Sequence, residues 1–75
     1  MAVMAETNEE VPNARLRGLR AEKKLSQGDM AEILGISESA YLAKENGKRD
    51  FKSSEMIAVK RYFKLNAEEI FRTFF

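Results

Sequence analysis

Cysteine and histidine are both missing from this chain of 75 residues. Without cysteine no disulfide forms. Without either residue, the usual metal ligands, general bases and thiol nucleophiles are gone. Small domains often lean on a disulfide or a structural metal, so here stability has to come from packed helices or a partner subunit. The lack of cysteine suits a reducing cytosol. No apolar run approaches the roughly 18–20 residues that span a bilayer. The opening MAVMAETNEE lacks the basic start and apolar stretch of a signal peptide, so no membrane partner is expected. No glycine-rich phosphate loop appears. Catalysis, cofactors and small-molecule ligands are therefore not expected, and the scattered carboxylates pair more naturally with helix caps and basic neighbours.

Net charge is only +1, but it is unevenly spread. Glu6, Glu9 and Glu10 fall in the first 13 residues, which hold no Lys or Arg. The remainder carries 13 basic and 9 acidic residues, a balance of +4. That excess fits a polyanionic partner, and equally an ordinary solvated surface. Residues 1–12 read as a disordered arm ended by Pro12, and residues 13–75 as one domain.

Five helical patterns follow, and none of the alternation of a strand. Helix one is expected over Asn13–Lys24, with Leu16, Leu19 and Lys23 at helical spacing. Gly18 inside it costs up to about 1 kcal/mol against Ala, which close approach of a neighbouring helix would justify. Helix two covers Gln27–Leu34, capped by Ser26 with Asp29 reaching back, and ended by Gly35 in the left-handed conformation. Helix three covers Glu38–Asn46, capped by Ser37 and stopped by Asn46-Gly47. Helix four covers Ser54–Phe63 after Ser53 as cap. Helix five covers Ala67–Arg72, capped by Asn66 with Glu69 three residues on. Met30, Leu34, Ile36, Tyr41, Met56 and Phe63 read as core.

The informative stretch is SQGDMAEILGISESAYLAKENGK, Ser26 to Lys48. Ala31 is small where helices two and three approach, Gly35 makes the turn, Ile36 plugs it, and Tyr41 faces helix two. Only Gly35, Ile36 and Ser37 link the two helices, which forces a steep crossing. The outer side of helix three offers Glu38, Ser39, Leu42 and Ala43, on a rod whose diameter fits the DNA major groove.

This stretch resembles the helix-turn-helix of the lambda repressor and Cro family, also called the XRE family. The likeness covers about Ala14 to Phe71. It rests on the Ser-Gln opening helix two, the Ala four residues after that Gln, the Gly at the turn, and Glu-Asn-Gly-Lys closing helix three. The C-terminal Asn-Ala-Glu-Glu-Ile-Phe is similar to the last helix of small repressors from phages and mobile elements. The resemblance implies an all-α, five-helix, lambda repressor-like DNA-binding domain. It implies base readout by Ser37, Glu38, Ser39, Leu42 and Ala43. It implies phosphate contacts by Gln27, through side chain or backbone N–H, and by Asn46, Lys48, Arg49 and Lys52. It also implies an internal salt bridge between Arg20 and Glu45; if buried, losing one partner costs roughly 3–5 kcal/mol.

Two residues depart from the family pattern. Lys44 stands where the family has an aliphatic residue. Its stem is expected to cover the core while its ammonium reaches outward to a phosphate. Glu38 places an acid at a leading base-contact position, where it repels phosphate but accepts from a cytosine amino group. It equally suits a helix N-terminus. Ile70, Phe71, Phe74 and Phe75 crowd the C-terminus and either form a homodimer interface or close the monomer core. The expected function is a cytoplasmic, nucleoid-associated repressor that binds operator DNA as a homodimer. The alternative is an antitoxin or adaptor that uses the same fold to hold a partner protein.

Overall fold

The computed structural model describes residues 13–75, so the arm expected over residues 1–12 lies outside the described residues. Five helices succeed one another: α1 Ala14–Glu22, α2 Gln27–Leu34, α3 Glu38–Glu45, α4 Ser53–Phe63 and α5 Ala67–Phe74. No strand occurs among the described residues. α2 packs on α3 and α4, while α5 returns to pack on α1 and α4. The core is built from Leu16, Met30, Ala31, Tyr41, Phe51 and Val59. Leu34, Ile36, Met56 and Phe63 pack around it half-buried.

One device ends three of the helices. Lys24, Gly35 and Lys64 each adopt positive φ, at 57°, 73° and 57°. The next residue, Leu25, Ile36 or Leu65, sends its N–H back to the carbonyl five residues earlier, at 3.0, 2.9 and 2.9 Å. Each of those apolar residues then packs on the core. This is the Schellman closure, in which a left-handed residue satisfies orphan carbonyls and an apolar follower anchors the exit. α3 ends the same way at Gly47, φ 79°, with Lys48 N–H reaching Ala43 O at 2.8 Å. There the follower is an exposed lysine instead of an apolar anchor.

α1 stops at Glu22, two residues short of the sequence expectation, because the left-handed Lys24 turns the chain, and Lys23 is exposed rather than inward. Gly18 also departs from expectation. A Cβ placed there meets nothing within 4 Å, so no helix approaches closely. Gly35 likewise has open space, but its left-handed φ strains any Cβ. The two glycines are therefore opposite in sign. Gly18→Ala should stabilise by about 0.5–1 kcal/mol, and Gly35→Ala should destabilise by about 1–2 kcal/mol. Thermal melts should show shifts of roughly 4–8 °C per kcal/mol in opposite directions.

Candidate nucleic-acid interface

α3 has two chemically different sides. Its inner side holds Tyr41, Lys44 and Glu45, which are 0, 3 and 1% exposed. Spacing of three and four residues puts them on one stripe of the helix. Two of the three carry charge, and a buried charge needs partners.

Glu45 finds them on three helices. Arg20 Nε of α1 donates to Oε2 at 2.9 Å, and Gln27 Nε2 of α2 donates to Oε1 at 3.1 Å. The Tyr41 hydroxyl of α3 itself donates to Oε2 at 2.8 Å. Arg20 Nη1 also donates to Leu25 O at 3.0 Å, which ties the exit of α1 to the same cluster. Burial alone works to raise the Glu45 carboxyl. Hydrogen bonds from Gln27, Arg20 and Tyr41, with the charge of Arg20, outweigh it and hold the group below the ordinary carboxylate range. Burial, reinforced by the bond to Glu45, pushes the Tyr41 phenol well above its usual range.

Lys44 corrects the sequence reading. Its ammonium does not reach outward to a phosphate. It points inward and donates to both oxygens of Glu55 at 2.6 Å, with the two side chains 4 and 5% exposed. Glu55 also accepts from the Lys52 N–H at 2.8 Å, which satisfies an orphan donor at the start of α4. Burial works to raise the Glu55 carboxyl. The bonds from Lys44 and the Lys52 N–H prevail and keep it below its ordinary value. α4 accordingly begins at Ser53, one residue before the expected start. The sequence reading missed Glu55, although its place in the first turn of a helix marked it as a cap partner.

Gln27, half-buried at the start of α2, donates one of its two side-chain N–H groups to Glu45. Its backbone N–H lies in the first turn of α2, where such donors have no partner within the helix. Ser26 caps α2 reciprocally with Asp29, at 3.0 and 2.9 Å.

The outer side of α3 exposes Glu38, Ser39 and, at 36%, Leu42, with Ala43 half-buried at its edge. Ser37 stands exposed at its head, where its Oγ accepts from the Ala40 N–H at 3.1 Å and lies 3.4 Å from Ser39 Oγ. Glu38 leans toward the start of α2, since a Cβ on Gly28 would sit 3.2 Å from its Oε1. Asn46, Lys48, Arg49 and Lys52 are all exposed in or beside the loop that leaves α3. The base-contact and phosphate-contact candidates of α3 and its exit loop are thus exposed or half-buried, with Lys44 removed from them.

α1 grips the end of α3 beyond the expected Arg20. The Asn13 side chain does not cap α1. Its Nδ2 instead donates to Lys44 O at 2.8 Å and Glu45 O at 3.2 Å. Arg17 Nη2 donates to Asn46 Oδ1 at 2.7 Å.

The aromatic tail divides. Ile70 and Phe74 pack on the core, and the Phe74 ring meets Phe51 edge-on at 5.1 Å. Phe71 and Phe75 stay 62 and 78% exposed, with rings stacked at 5.5 Å.

A family model described as "Helix-turn-helix domain" matches residues 13–73. The chain belongs to the helix-turn-helix domain family. No curated protein and no solved structure matches it. The five helices are consistent with the lambda repressor-like form of this fold, with α2 and α3 as the helix-turn-helix pair. Membership makes this a DNA-binding type of domain, and a non-enzymatic regulator fits it. No helix of the described residues is long and apolar enough to cross a membrane.

The Lys44–Glu55 pair gives a direct test of the inner side. In this helix-turn-helix domain, Lys44→Met should cost about 3–5 kcal/mol, because Glu55 is left charged and buried. Adding Glu55→Gln should recover most of that loss, because the amide still accepts from Lys52 and carries no charge. Urea denaturation of the single and double variants reads both.

Proposed function

We propose that this protein is a sequence-specific transcriptional regulator of the Cro and lambda repressor-like (XRE) type. In this reading it is a repressor of phage or mobile-element origin that acts on an operator in the cytoplasm, at the nucleoid. Residues 13–75 are its DNA-binding domain. α3 enters the major groove and presents Ser37, Glu38, Ser39, Leu42 and Ala43 to base edges. Lys48, Arg49, Lys52, Asn46 and the Gln27 backbone N–H hold the phosphates on either side.

One observation carries this reading: the outer face of α3 is open while its inner face is locked by buried polar bonds. A rod presented in this way is rigid, and rigid placement of side chains is what base readout requires. The basic rim supplies the non-specific attraction to phosphate.

Binding measured over a range of salt concentrations on a selected operator separates the two kinds of contact. Lys48→Ala should weaken binding evenly across sequences and lower the salt slope by about 1. Ser39→Ala should change preference at one base position and leave the slope alone. Should both variants bind every sequence as the parent does, α3 is not the groove helix.

Phe71 and Phe75, stacked and exposed, support a homodimer through the end of α5. Such a dimer would set two half-sites about one helical turn, roughly 34 Å, apart. Ile70 and Phe74, grouped with them in the sequence reading, support that surface from beneath. Sedimentation should show a dimer for the parent and a monomer for the Phe71→Ser, Phe75→Ser double variant. A monomeric parent, free and on DNA, overturns the dimer. It would favour instead an adaptor or antitoxin that offers this surface to another protein.

A further inference from the structure

Arg17 reaches from α1 to the residue that follows α3. Its Nη2 donates to Asn46 Oδ1 at 2.7 Å. Its Nε is buried without a hydrogen-bond partner, 3.9 Å from Glu45 Oε1. The guanidinium is thus attracted by Glu45 and aimed at Asn46. Arginine has only donors to offer, so it selects the acceptor end of the Asn46 amide. The opposite end, the amide nitrogen with its two hydrogens, then faces away from Arg17. The Asn46 backbone is fixed as well, because its N–H bonds to Leu42 O at 3.0 Å and Asn13 holds the preceding carbonyls. An exposed amide free to rotate would offer oxygen as readily as nitrogen, and oxygen repels phosphate.

We propose that Arg17 is a positioning residue for DNA binding: by taking the Asn46 carbonyl oxygen, it turns the Asn46 amide nitrogen outward as a donor to the phosphate backbone. The inference rests on the DNA-binding reading above. It adds a residue that no motif in the sequence marks.

A double-mutant cycle on the full chain tests it, with a fluorescent duplex as probe. Arg17→Met and Asn46→Ala should each weaken binding about tenfold, the worth of one such hydrogen bond. The double variant should be no weaker than either single one, and the salt slope should stay at the parent value. Additive losses with a slope lowered by about 1 would make Arg17 a phosphate contact in its own right and overturn the proposal. So would parent-like affinity in Arg17→Met. A residue that only supports the fold would lower the melting temperature and leave affinity unchanged well below it, which also overturns the proposal.

The parent protein supplies a check that needs no variant. The NMR resonances of its Asn46 side-chain amide should move when duplex is added, as the amide nitrogen donates to a phosphate. Amide resonances indifferent to duplex that shifts the backbone resonances of α3 count against the proposal. If the parent binds no DNA at all, the DNA-binding reading itself fails, and that outcome is distinct from the others.

Discussion

A carboxylate that is only 1% exposed has to be surrounded by donors before the helices around it can settle. Glu45 is that group. Its donors come from α1 (Arg20), α2 (Gln27) and α3 (Tyr41), so three helices are held relative to one charge. Apolar contacts alone would let these short rods slide, because burial of apolar surface is non-directional. The hydrogen bonds to Glu45 have fixed directions and set the angle at which α3 stands. The depressed carboxyl pKa follows from the same crowding of donors.

The second buried charge extends this arrangement to α4. Lys44 spans to Glu55, and Glu55 in turn completes the start of α4. Two neighbouring residues, Lys44 and Glu45, therefore connect α3 to every helix except α5. α5 is reached through aromatic rings instead: Tyr41 meets Phe51 at 6.2 Å, and Phe51 meets Phe74 at 5.1 Å. Phe51 lies in a loop, outside any helical periodicity, yet it joins α3 to α5.

Much of the fold was legible because its signals are local. Ser26 with Asp29, Ser37, Asn66 with Glu69, and Gly35 all mark helix ends within a few residues, and α2 has the predicted bounds. The exit of α1 at Lys24 was not legible, since a lysine in the left-handed conformation leaves no trace in composition. α4 ends at Phe63 as expected, before the left-handed Lys64. The leucine that follows each of these lysines is the signal for the closure. The outer residues of α3 could be placed by helical spacing. The inward turn of Lys44 could not, because its partner lies 11 residues away. Asn13 and Arg17 were missed for the same reason: their bonds to the end of α3 span 29 to 32 residues. The aromatic tail read as one unit because proximity in sequence hides which side of a helix each ring takes.

The separation of the two sides of α3 has an evolutionary consequence. Glu38, Ser39 and Leu42 make no recorded bond that any other helix depends on, whereas Tyr41, Lys44 and Glu45 are all committed internally. The outward positions can therefore drift without weakening the scaffold, so substitution on this face is limited by what it contacts and not by folding. Ser37 is the exception. Its hydroxyl caps α3, so replacements there are confined to side chains that can still accept a backbone N–H.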